Sequence, residues 1–140
     1  MTTPAYFGAF FTRVDFQVHS PRDSQWSGPH SSIGEREDFA KALVACCRRK
    51  RLGAIAITDH HDLCLWSHVR DAARAEQQSD GTPYPQKDQL IVFPGVELTL
   101  SVPPCQALLL FDPELAETDL NTFGACSKSF RPITDCQTRR

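Results

Sequence analysis

The sequence predicts an α/β fold built on parallel strands with intervening helices. Two observations carry that expectation. Segments with strand character alternate with segments of helical period, in the order strand, helix, strand, helix, strand. Three of the strand-like runs also end in a residue able to bind metal or move protons: His19, His60 and Glu97. These recur about every 40 residues, enough for a strand, a helix and two loops, which need about 30. If the three runs are parallel, those side chains gather at one carboxyl edge, where such folds keep their sites.

The elements follow in order. Tyr6 to Phe11 is aromatic-rich and is read as a lead-in strand. Arg13 to His19 alternates, with Val14, Phe16 and Val18 on one face and Asp15, Gln17 and His19 on the other. Pro21 stops it, and residues 20–34 read as a long loop. Ser32 and Glu35 have capping-box spacing and open a helix running to about Arg51. Its apolar stripe is Phe39, Leu43, Cys46 and Cys47, and Gly53 lies just beyond its end. The basic run Arg48 to Arg51 is read as completing the helix dipole on a solvated face rather than as a nucleic-acid contact.

Ala54 to Thr58 is short and apolar, as a strand buried on both faces should be. Asp62 is placed to cap a second helix, Leu65 to Gln78, with Leu65, Trp66, Val69, Ala72 and Ala73 on its apolar side. Residues 79–85 form a turn-rich linker. Leu90 to Phe93 and Val96 to Leu100 read as strand, with a bulge or bend at Gly95 between them. Ala107 to Phe111 is a fourth strand, and Glu114 to Leu120 opens a helix. Residues 1–111 are taken as a partial domain. Residues 112–140 are taken as an irregular tail, because the amphipathic pattern fails after Leu120 in the manner of a truncation or a changed frame. Four strands are too few to close an eight-stranded parallel barrel, so the expectation is the first part of a larger one.

The 140 residues suggest one domain or part of one. A formal net charge of −2 gives no bulk attraction to nucleic acid or acidic membranes. No run of 18 apolar residues is present, and Met1 to Phe7 lacks a basic segment leading into an apolar core. A cytoplasmic chain with no membrane span is expected. The six cysteines contain no C-x-x-C pair and are read as reduced, mostly buried thiols.

Imidazole and carboxylate at convergent strand ends suit Zn²⁺, Mn²⁺ or Fe²⁺. Thr58-Asp59-His60-His61-Asp62 puts five polar residues directly after a buried strand, and Asp59 or Asp62 is placed to orient an imidazole from behind. The bland alternatives are a hydrogen-bonded structural histidine, a helix-capping Asp62 and an exposed Glu97.

Asp15-Phe-Gln17-Val-His19-Ser, Ala56-Ile-Thr-Asp59-His60 and Pro94-Gly-Val-Glu97-Leu together resemble the first three motifs of the PHP domain, the polymerase and histidinol phosphatase superfamily. The likeness covers residues 13–111. It implies the N-terminal part of a distorted TIM-like (β/α)7 barrel and a metal-dependent phosphoesterase with up to three divalent metals. By that likeness His19, His60 and Glu97 are metal ligands, and Gln17 occupies a ligand position usually held by histidine. Asp59 is the candidate catalytic carboxylate, and Asp23 or His30 is a further ligand. No histidine stands near Cys105, where the family's next one is expected, and none follows His68. The implied partner is a phosphorylated substrate, nucleic acids and nucleotides included. The form around Gln17, Pro21 and Trp26 is similar to PHP modules that precede ATPase regions. The competing expectation is a non-catalytic module of the same fold that regulates or docks such an ATPase or a nucleic-acid machine.

Overall fold

The computed structural model describes residues 11–29, 32–60 and 62–120. The lead-in strand expected up to Phe11, His30, His61 and the tail from Asn121 to Arg140 fall wholly or largely outside them. The described elements are β1 (Val14–Val18), α1 (Ile33–Arg49), β2 (Ala54–Ile57), α2 (Cys64–Arg74), a 3₁₀ turn (Gln86–Asp88), β3 (Ile91–Ser101) and β4 (Pro104–Leu110). The four strands lie in chain order across one sheet. β1 and β2, and β2 and β3, are parallel, each pair joined through a helix.

β4 departs from the expected parallel series. It runs antiparallel to β3, with Ser101 opposite Pro104. Only Val102 and Pro103 separate the two strands, and a parallel return needs a crossover of a dozen or more residues. The fold is therefore mixed α/β with a parallel half and a hairpin, and among the described residues β1 and β4 are the outer strands. Of the helix expected over Glu114 to Leu120, residues 117–120 are helical, the last of the described residues.

The core lies between the sheet and the two helices. All four residues of β2 are buried, as its continuous apolar run predicts. α1 contributes Ala40, Val44 and Cys47 at helical spacing, with Phe39 and Leu43 partly buried beside them. α2 contributes Leu65, Trp66, Val69 and Ala73, and the Trp66 indole N–H donates to the Val92 carbonyl at 2.9 Å. Burying side chains of this size stabilises by about 1.5–3 kcal/mol each. β1 is less covered than its alternation suggests, with Val14 45% and Phe16 37% exposed.

α1 begins as the capping box predicts, with the Ser32 N–H bonded to the Glu35 carboxylate. Its end differs from expectation. Arg51, not Gly53, takes the left-handed position at φ 56°, and the Leu52 N–H bonds back to the Cys47 carbonyl. Gly53 serves close approach instead, since a Cβ there would lie 2.5 Å from Thr12 Cγ2. Arg48 does not simply face solvent. It bonds Glu76 at 2.6 Å and the Asp88 carbonyl at 2.8 Å, and lies 4.1 Å over the Tyr84 ring, fastening the 76–89 connection to α1. α2 stops at Arg74, four residues short of the expected Gln78, because Gln78 pairs with Thr82 in a turn closed by Gly81 at φ 81°. Cys46, Cys47 and Cys105 are free thiols, whereas Cys64 is disulfide-bonded, so the expectation of uniformly reduced cysteines does not hold for Cys64. Among the described residues no helix is long and apolar enough to cross a membrane.

β3 also differs in detail. No bulge forms at Gly95; the strand runs through it and changes partner there. Ile91 to Pro94 pair with β2, and Gly95 to Ser101 pair with β4. The register irregularity falls in β1, between Asp15 and Val18, beside the residues that build the site. Gly95 is needed for contact, since a Cβ there would lie 2.8 Å from Thr58 Cγ2, 2.9 Å from Leu110 Cδ2 and 3.1 Å from the Leu109 carbonyl. Gly95→Ala is therefore expected to destabilise the fold by about 1–3 kcal/mol in urea unfolding. An unchanged midpoint would show that this crossing is loosely packed.

Candidate metal centre

The parallel pairing brings the carboxyl ends of β1 and β2 against the middle of β3. His19 follows β1 directly and His60 lies just past β2, while Glu97 is on β3 itself. Backbone bonds tie these segments together: the Thr58 N–H donates to the Val18 carbonyl at 2.9 Å, and the Glu97 N–H donates to the Asp59 carbonyl at 3.3 Å. His60 and Glu97 form a further parallel bridge.

The two imidazoles stack, with centroids 5.3 Å apart and planes 13° from parallel. A carboxylate lies at each edge of the stack. On one edge Asp23 Oδ2 is 2.9 Å from Nδ1 of His19 and 2.9 Å from Nδ1 of His60, and it accepts the His60 backbone N–H at 2.8 Å. On the other edge Glu97 presents Oε2 at 3.3 Å from His19 Nε2 and Oε1 at 3.4 Å from His60 Nε2. The Gln17 amide donates to Glu97 Oε2 at 2.9 Å, and the Gln25 amide nitrogen lies 3.2 Å from His60 Nε2.

His19, His60, Glu97 and Gln17, which the sequence put forward separately, thus share one hollow. Asp59 does not take the place expected of it. Its carboxylate is turned away from the imidazoles and accepts the Ser20 N–H at 2.6 Å and the Ser20 hydroxyl at 2.5 Å. Two donors from one residue are the better partner for a fully buried charge. The clasp fixes the start of the 20–26 turn, which closes through the Asp23 N–H on the Ser20 carbonyl at 2.9 Å. That turn delivers Asp23 to the rings, so the orienting role expected of Asp59 falls to Asp23. Asp62 is occupied by Arg22 at 2.7 Å and by the Cys64 N–H at 2.7 Å; it stands one residue before the N-cap of α2, Leu63, so it is not the cap expected of it but pins the same turn to the start of the helix.

The electrostatics favour a cation. Asp23, Asp59 and Glu97 are each at most 1% exposed. Among the described residues no lysine or arginine pairs with any of them, since the arginine nearest in sequence, Arg22, is paired with Asp62. Burial raises the Asp59 carboxyl to about 6, with Asp62 and Asp23 adding to the rise against the pull of the Ser20 bonds. At Asp23 burial is outweighed by N–H donors from the His60 and Gln25 backbones and by the His60 ring, which draw the carboxyl down to about 2. Among the described residues one group is spaced so that it could hold a metal ion: His19, Asp23 and His60, whose ligand atoms lie within 4.8 Å of one another. Glu97 stands against the Nε2 edge of the same two rings. Imidazole and carboxylate donors are of the kind that take Zn²⁺, Mn²⁺ or Fe²⁺. Asp23 entered the sequence reading through the resemblance, as one of two candidates for a further ligand, and it is the one that lies against both rings.

The shift at Asp59 makes a signed prediction for the metal-free protein. Its folded pKa of about 6 lies above the ordinary 3.8, so its contribution to stability is fully present below about pH 4 and is lost as pH rises through 6. Asp59→Asn, always neutral, lacks that dependence. The stability of wild type relative to Asp59→Asn is expected to fall by on the order of 2–3 kcal/mol between pH 4 and pH 7. A difference that does not vary with pH would contradict the assignment.

No family model, curated protein or solved structure matches this chain.

Proposed function

We propose that this chain carries the N-terminal ligand cluster of a PHP-like metal-dependent phosphoesterase, its strands forming the first part of a distorted TIM-like barrel. The observation that supports this most is the placement of two imidazole nitrogens, from His19 and His60, against the two oxygens of one buried carboxylate, Glu97. A buried carboxylate facing two ring nitrogens is a costly arrangement unless positive charge joins it. His19, His60 and Glu97 would hold a Zn²⁺, Mn²⁺ or Fe²⁺ ion. Such an ion, when bound, supplies Lewis acidity toward a phosphoryl oxygen and acidifies water near neutral pH.

The remaining residues hold this arrangement in place. Gln17 is a neutral donor where a third imidazole would add a ligand. Its amide keeps Glu97 turned toward the rings. Asp59 and Ser20 set the turn, and Arg22 with Asp62 pins its outer side. The substrate is read as a phosphoester from the resemblance of the three motifs to PHP domains; with carboxylate in surplus, a cation would be needed to accommodate a phosphate there.

Metal content after dialysis, read together with phosphodiesterase turnover in Mn²⁺ or Zn²⁺, tests the proposal. Wild type is expected to retain stoichiometric metal and to hydrolyse a nitrophenyl phosphodiester. His60→Ala and Glu97→Ala are each expected to lose both properties. Absence of metal from wild type would end the reading for this chain. Retained metal without turnover on any phosphoester would favour the non-catalytic module of the same fold.

A further inference from the structure

Asp23 is adjacent to both rings, and its bonding fixes what each ring can offer. The His60 backbone N–H that reaches Oδ2 at 2.8 Å is a donor under all conditions, so this oxygen acts as an acceptor. A carboxylate has no proton to give, so the two Nδ1 atoms at 2.9 Å from the same oxygen must carry the hydrogens. An imidazole that gives its Nδ1 hydrogen to a carboxylate has only Nε2 left to offer a cation. Because the rings are stacked 13° from parallel, both Nε2 atoms look toward the Glu97 edge. The Gln25 amide nitrogen, 3.2 Å from His60 Nε2, fits a bare ring nitrogen there, and it sits on an exposed side chain that a cation can displace.

The alternative is Asp23 as a ligand, on the Nδ1 edge. With three N–H groups already converging on Oδ2, that oxygen has no lone pair left for an ion. Its partner Oδ1 accepts the Gln25 N–H at 2.6 Å and faces its own turn.

We propose that Asp23 is the positioning residue of this centre: it holds His19 and His60 together in the Nδ1-protonated tautomer, and so presents two Nε2 atoms to one divalent cation at Glu97 without ligating it. The cation in this statement rests on the function proposed above; the tautomer does not. Carboxylate–imidazole–metal arrangements of this kind typically change metal affinity 10–100-fold when the carboxylate is lost. Loss of a direct ligand would instead remove binding.

Long-range ¹⁵N–¹H imidazole spectra of the metal-free protein near neutral pH, followed by Zn²⁺ titration, separate the possibilities. Both rings of wild type are expected to be protonated at Nδ1 and bare at Nε2. In Asp23→Asn at least one ring is expected to shift toward the Nε2-protonated form. Zn²⁺ affinity is then expected to fall about 10–100-fold with the stoichiometry unchanged. Wild-type rings protonated at Nε2 would overturn the proposal, and that reading needs no variant to fold. So would an Asp23→Asn protein with unchanged tautomers, or one that abolishes Zn²⁺ binding as fully as Glu97→Ala. Expected tautomers in a wild type that binds no Zn²⁺ would support the role of Asp23 while ending the phosphoesterase reading.

Discussion

Two carboxylates, Asp23 and Glu97, buried against two stacked imidazoles, with a third, Asp59, buried on the Ser20 turn, are the constraint on which this molecule turns. Taking an unpaired charge out of water costs several kcal/mol even after relaxation, so each must be compensated locally. Asp23 is compensated by converging N–H groups and Asp59 by the Ser20 clasp together with a raised pKa. Glu97 is compensated least. A neutral amide from Gln17 and two ring nitrogens are the side-chain partners described for it. The imbalance sits where β1, β2 and β3 converge, beside the His19, Asp23 and His60 group whose spacing could hold an ion.

The fold makes that imbalance tolerable by making its surroundings rigid. β2 is buried along its whole length, and α1 and α2 fill the space beside the sheet with close-packed aliphatic and aromatic side chains. β3 is the joint between the two halves. Up to Pro94 it belongs to the parallel set, and from Gly95 it belongs to the hairpin. Glu97 falls just after that exchange and still bridges to His60, so a single residue is anchored by both halves. The Arg22–Asp62 pair and the Asp59–Ser20 clasp do the equivalent for the 20–26 turn.

Much of this was legible in the chain. The apolar run of β2 reflects a burial pattern that depends on neighbours a few residues away. The stripe of α1 was legible in part, since Cys47 is buried and Phe39 and Leu43 are half-buried beside Ala40 and Val44, whereas the alternation of β1 gave the strand but not its exposure. His19, His60 and Glu97 could be placed because parallel strands put their ends at one edge. Three features were not fully legible, each because a distant partner decides it. Asp23 could be named by resemblance as one of two further ligands but not set against both rings, because the turn that carries it is held by the Asp59–Ser20 bond across 39 residues. The direction of β4 depends on how tightly residues 102–103 turn, and composition around two prolines does not specify that. The left-handed Arg51 is imposed by the need of Leu52 to close the helix, against the intrinsic preference for glycine there.

Anomalous diffraction from crystals grown with Zn²⁺ would test the central claim directly, because it locates the ion itself rather than inferring its place from variants. The account predicts one strong peak on the Glu97 side of the stacked rings, in contact with Nε2 of both His19 and His60. A peak on the Asp23 side, or none near either ring, would contradict it.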